Sequence, residues 1–95
     1  MNKFIFEFAL DNKCRKVEFN LNNNYTEDDW FDFLDNEYDN FIEPLEHKYG
    51  IHDGSGCEND DGSFEIGFTT YEVDVNKIDE LMNIWEDKLK EIKAI

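Results

Sequence analysis

Proline is almost missing from this chain: Pro44 is the single one in 95 residues, and there are only five glycines. That excludes collagen-like and low-complexity Pro/Gly-rich classes. Cysteine is also scarce. Two residues, Cys14 and Cys57, are too few for a disulfide framework, and reduced thiols in a cytoplasmic protein are the expected state. Long apolar runs are absent, and no stretch approaches the ~20 residues of a membrane span. The opening segment MNKFIFEFALDNK is broken by Glu7 and lacks a small-residue cleavage site, so it reads as a strand and not as a signal peptide.

The scarcest feature is positive charge. Nine Lys and Arg face 24 Asp and Glu, for a formal net charge of −15. Such a surface repels nucleic acid, whose phosphates need Lys and Arg, and it repels anionic membranes for the same reason. It attracts cations and basic protein surfaces. Aromatic residues are plentiful at 16%, enough for one domain of this length to build a packed core.

Periodicity gives the elements. KFIFEFAL at 3–10 alternates, with Phe4, Phe6, Phe8 and Leu10 on one face. RKVEFNL at 15–21 alternates again, with Val17, Phe19 and Leu21 inward, and DNK at 11–13 reads as the turn of an antiparallel hairpin. A helix is expected from Thr26, whose pairing with Asp29 resembles a capping box. At ~100° per residue, Trp30, Phe31, Leu34, Tyr38, Phe41, Ile42, Leu45 and Tyr49 share an arc of roughly 120°, and Phe33 falls outside it. Pro44 predicts a kink or break, followed by a short second segment ending at Gly50. The turn-rich stretch 51–62 predicts a loop, or a short strand leading into an Asp-Gly turn. SFEIGFTTYEVDV at 63–75 alternates as a strand, and Gly67 suggests a bulge or bend. A last helix, capped by Asn76, presents Ile78, Leu81, Met82, Trp85, Leu89 and Ile92 as one stripe, with Glu86 and Lys90 as an i,i+4 pair. The order β-β-α-β(β)-α predicts a single α+β domain: an antiparallel sheet of three to four strands with two amphipathic helices on one face.

The acidity has an address. Residues 21–76 hold sixteen Asp or Glu and one Lys, Lys48, while the rest of the chain is neutral. On the first helix, Asp28, Asp32, Asp35, Asp39, Glu43 and Glu46 fall within about 80° of one another, opposite the apolar arc. They form a stripe of about 27 Å at ~1.5 Å per residue. That is one charge per ~5 Å, sparser than the ~3.4 Å phosphate spacing along a DNA strand. Neighbouring like charges cost a few tenths of a kcal/mol each, which mixed signs would avoid, as they do on the last helix. Asp60 and Asp61 are outlying acids of the same kind on the loop.

Catalytic and metal constellations fail. CENDDGSFEIGF puts Gly62 at the sixth position of a calcium loop, but Cys57 and Phe68 fall where carboxylates are needed. His52, Asp53 and Cys57 lack metal-ligand spacing, and neither His52 nor His47 forms a recognisable catalytic pair with Cys57. No phosphate-cradling glycine loop is present. Lys13, Arg15 and Lys16 are too few to hold nucleic acid in so acidic a chain. No cofactor and no enzymatic activity are expected.

In composition and architecture, though in no motif, the chain is similar to two groups of small acidic inhibitors. One is the phage anti-restriction and anti-CRISPR proteins, some of which mimic DNA charge. The other is the immunity proteins that neutralise bacterial nuclease toxins. The resemblance implies a non-enzymatic inhibitor in the bacterial cytoplasm, facing the basic surface of a nucleic-acid-binding protein such as a nuclease. A third possibility is a small regulatory interaction domain, for which exposed Phe33 and Tyr71 would be the sign.

Overall fold

The computed structural model describes residues 2–10, 13–51, 54–71 and 73–95, without the side chains of Leu10 and Ser55. The expected face position of Leu10, most of the 11–13 turn and the His52 and Asp53 pair therefore lie outside the described residues.

Two strands, β1 (Lys3–Leu10) and β2 (Lys13–Asn20), pair antiparallel as the expected hairpin, with Phe4 opposite Phe19 and Phe6 opposite Val17; Lys13, expected in the turn, instead opens β2 opposite Leu10. Helix α1 (Glu27–Glu37) runs into a π turn at Tyr38–Ile42 and then into helix α2 (Glu43–Tyr49). A short strand β3 (Ser55–Glu58) pairs antiparallel with β4 (Phe64–Tyr71). A 3-10 turn at Val75–Lys77 then leads into helix α3 (Ile78–Glu91). The result is an α+β fold with a four-stranded sheet in the order β2-β1-β4-β3.

One expectation about the sheet is corrected. It is mixed, because β1 and β4 pair in parallel, with Phe4 beside Ile66 and Phe6 beside Phe68. These strands carry the most apolar inner faces. Phe4, Phe6, Phe8, Ile66 and Phe68 are all buried, so both strands belong at the sheet centre. The intervening hairpin strand and helices give the chain the long crossover that parallel neighbours need. The weaker strands take the edges, and Lys13, Arg15, Lys16 and Glu18 on β2 discourage pairing with another chain. Gly67 makes no bulge; the register runs through it on both sides, opposite Ile5 and Ser55. A Cβ on Gly54 would lie 2.4 Å from the Gly67 carbonyl oxygen, so glycine is required there.

The chain is 19 Å across its shortest axis, the thickness of one sheet and one helix layer. Trp85 of α3 is the hub between them. It is fully buried, with its ring 4.9 Å from those of Phe4 and Phe41, 5.4 Å from Phe6 and 5.5 Å from Phe68. Ile78, Leu81, Met82 and Leu89 complete the expected stripe, and Glu86 meets Lys90 at 3.5 Å. Asn76 is not the cap: Asp74 accepts from the Asn76 N–H at 2.9 Å and starts the 3-10 turn instead. The far end of α3 closes with Lys93 left-handed at φ 61°, and Asn22 clamps it by donating to the Ala94 and Lys93 carbonyls.

Cys14 on β2 and Cys57 on β3 sit on opposite edge strands with two strands between them, so no bridge can join them within one chain. Among the described residues no helix is long and apolar enough to cross a membrane.

Candidate functional site

The acidic helix starts as its sequence requires. The Thr26 N–H donates to Asp29 at 2.8 Å and the Asp29 N–H donates to Thr26 at 3.2 Å, which closes the capping box. Glu27, Asp28 and Asp29 occupy the first turn, where the positive end of the helix dipole stabilises them.

The middle of the helix departs from expectation. In an unbroken α-helix, Tyr49 would lie about 100° around the axis from Trp30. The π turn takes up one extra residue, so the Glu43 N–H reaches back to the Tyr38 carbonyl. Pro44 has no N–H to donate, and its ring crowds the carbonyl four residues back. The helical path is thus widened just before the proline, and Pro44 stands at the start of the expected short second segment that ends at Gly50. With one residue absorbed, Trp30, Phe33, Ile42, Leu45 and Tyr49 all face the core. Phe33 is buried, contrary to the wheel, and Phe31 is 53% exposed.

The same turn divides the acidic stripe. Asp28, Asp32, Asp35 and Asp39 stay exposed along one line of α1 and the π turn. Beyond the turn, Glu43 and Glu46 are rotated back toward the protein by about one residue's angle, ~100°. Both are half-buried. Glu43 meets His47 at 3.7 Å, and Glu46 accepts from the Tyr38 hydroxyl at 3.1 Å. The six-residue stripe is therefore a row of four with two acids turned to its flank. The row is about 17 Å long at ~1.5 Å per residue.

Asp60 and Asp61 lie in the turn between β3 and β4. Asp61 accepts from both the hydroxyl and the N–H of Ser63, and these bonds hold its carboxyl below the usual carboxylate range. It shares a groove with Thr26 and Glu27, so it stands beside the start of α1. Its Oδ1 accepts both bonds from Ser63, and both Asp60 and Asp61 are exposed.

Lys93 lines a groove with Asp32 without closing an ion pair, and Lys88 is engaged by other acids. Lys88 of α3 is largely buried between helices, 3.1 Å from Glu37 and 3.3 Å from Glu91, with its ammonium 5.0 Å from the centre of the Phe41 ring. Burial pulls its pKa down, but the hydrogen bonds and charges of Glu37 and Glu91 outweigh that and leave it raised. Among the described residues none of Asp28, Asp32, Asp35 and Asp39 has an ion-pair partner. Periodicity missed Phe31, an exposed ring within the acid row, three residues from Asp28 and four from Asp35. The only signal for it was the strain between Phe33 and a wheel that assumed no π turn. Among the described residues no group of three or more His, Cys, Asp and Glu is arranged to hold a metal ion.

The chain matches no protein-family model, no curated protein and no solved structure.

Proposed function

We propose that this chain is a non-enzymatic inhibitor whose acidic helix occupies the basic, nucleic-acid-binding surface of a bacterial defence nuclease. One observation carries the reading. Four carboxylates stand in a row on α1 and the π turn, exposed and without an ion-pair partner among the described residues. A helix under selection for stability alone would intersperse Lys or Arg, as α3 does. The row's charge spacing of ~5–6 Å is of the order met along a phosphate backbone. Long-range attraction would speed encounter with a basic groove, and occupancy would exclude DNA or RNA by competition. Phe31 supplies apolar area inside the charged face, where an interface gains affinity by excluding water.

The same face suits an immunity protein bound to a nuclease toxin; the identity of the captured nuclease separates the two. The reading as an apolar interaction domain draws on exposed Phe31, Tyr71 and Val75, the last two at 53% and 59% exposure. Its binding would resist salt.

The test is capture from bacterial lysate by tagged protein at low salt and at about 0.5 M, where the Debye length is only about 4 Å. A nuclease that is held at low salt, shed at high salt and displaced by added DNA supports the proposal. A partner held equally at both salts and indifferent to DNA contradicts it.

A further inference from the structure

A groove of about 410 Å³ lies between the start of α1 and the chain just past α3. Its walls come from residues 24–37 and 92–93, both inside unbroken described segments. The apolar part is buried Phe33 and half-buried Ile92. Asp29 and Asp32 stand on the α1 side, and Lys93 stands opposite. The two sides do not neutralise each other. Glu37 also lines the groove but is taken by Lys88 at 3.1 Å, and among the described residues Lys93 closes no ion pair. Lys93 is nonetheless fixed at its backbone, where Asn22 donates to its carbonyl at 3.2 Å.

A second feature is independent of these charges. Tyr25 lines the same groove, is only 6% exposed, and its hydroxyl has no hydrogen-bond partner among the described residues. Its carbonyl is engaged elsewhere, accepting from Asn2 at 2.7 Å. Burial, and then the Asp29 charge, raise the pKa of the hydroxyl, so that end of the ring faces the part of the groove that Asp29 lines. A buried hydroxyl without a partner is costly to keep, and in a native fold it calls for a reason.

We infer that this groove binds a free α-amino acid with an apolar side chain. A zwitterion joins what the groove leaves apart. Its ammonium has three donors, for which Asp29, Asp32 and the Tyr25 oxygen are acceptors. Its carboxylate pairs with Lys93, and its side chain covers Phe33 and Ile92. Simpler ligands fit less of the site. A plain cation would be repelled by Lys93, a plain anion by the acids, and an apolar molecule would leave the charges and the hydroxyl unmet. The described acids are not arranged to hold a metal ion. The volume lies within the ~300–1,000 Å³ of small-ligand clefts. The inference needs no basic partner and stands apart from the proposed inhibition.

The test follows amide chemical shifts of the intact protein titrated with L-leucine and with L-phenylalanine. Three controls each lack one part of leucine: isocaproate the ammonium, isoamylamine the carboxylate, glycine the side chain. Saturable shifts centred on the amides of Tyr25, Phe33, Ile92 and Lys93 are expected with at least one probe and with none of the controls. Tyr25→Phe removes only the hydroxyl and is expected to weaken the better probe by about tenfold. Lys93→Gln, at an exposed position, is expected to do the same and serves if Tyr25→Phe does not fold. Lys90→Gln, outside the groove, is expected to leave the affinity unchanged. The absence of saturable shifts with both probes overturns the inference. So do shifts that isoamylamine reproduces, which would mark a general attraction of cations to an acidic chain. So does an unchanged affinity in either folded groove variant.

Discussion

The Glu43 amide donates to the Tyr38 carbonyl, five residues back. This one bond decides which side chains of the first helix are inside and which acids remain outside. It turns Leu45 and Tyr49 onto the core side with Trp30 and Phe33, and it turns Glu43 and Glu46 out of the acid row.

If the π turn exists to align two apolar faces, removing its extra residue should be tolerated. Deleting exposed Asn40, together with Pro44→Ala to restore the missing N–H, leaves a plain α-helix with the same residues inward. Its unfolding free energy in urea should stay within about 1 kcal/mol of the parent. Inserting one alanine at the same place should turn Leu45 and Tyr49 outward and cost more than ~3 kcal/mol.

Phe31 and Phe33 give a sharper check of the same point. Phe33 is buried, 5.3 Å from Trp30 and 6.2 Å from Trp85, ring to ring. Phe33→Ala should cost ~3–5 kcal/mol. Phe31→Ala should leave stability within about 0.5 kcal/mol and weaken partner binding instead. Denaturant midpoints of the two variants, with the slope unchanged, decide this.

Tyr25 is buried beneath the start of α1, and its hydroxyl has no hydrogen-bond partner among the described residues. Burial, with the Asp29 charge adding to it, pushes its pKa up to about 12. Folding therefore favours the protonated form. That stabilisation is complete below the ordinary tyrosine value near ~10 and is lost as pH rises from there through about 12. Tyr25→Phe should abolish the tyrosine share of this alkaline loss. At neutral pH it should leave the protein as stable as the parent or slightly more so, because no hydrogen bond is removed. Phenolate absorbance and urea unfolding across pH 9–12 measure both effects.

Neutralising the acid row should help the fold. Asp32→Asn, Asp35→Asn and Asp39→Asn each remove like-charge neighbours at i,i+3 or i,i+4, worth a few tenths of a kcal/mol apiece. The triple variant should unfold at higher urea than the parent, with the difference shrinking as salt is added. A row whose loss stabilises the protein is one that stability alone would not maintain.

Much of this architecture was readable before any coordinates. Period-two alternation placed β1, β2 and β4 because their inner faces are almost wholly aromatic or aliphatic, and the Ile78 to Leu89 stripe placed α3. Thr26 with Asp29 marked the start of α1, and Gly50, left-handed at φ 68°, ended α2 as expected. The parallel β1–β4 pairing was not readable, because alternation says which face is buried and nothing about strand direction. The π turn was also hidden. A helical wheel assumes ~3.6 residues per turn throughout, so one absorbed residue misplaced Phe31 and Phe33 and swung Glu43 and Glu46 into the row.

The most direct test of the acidic-face account is the affinity of the captured nuclease for the parent and for the Asp32→Lys, Asp35→Lys, Asp39→Lys variant, measured from low salt to about 0.5 M. Circular dichroism is to verify that the variant is folded. The account predicts that parent binding falls steeply with salt, and that the folded variant neither binds nor inhibits at any salt. A folded variant that binds and inhibits like the parent would contradict it, and the acid row would then be only a solvated helix face.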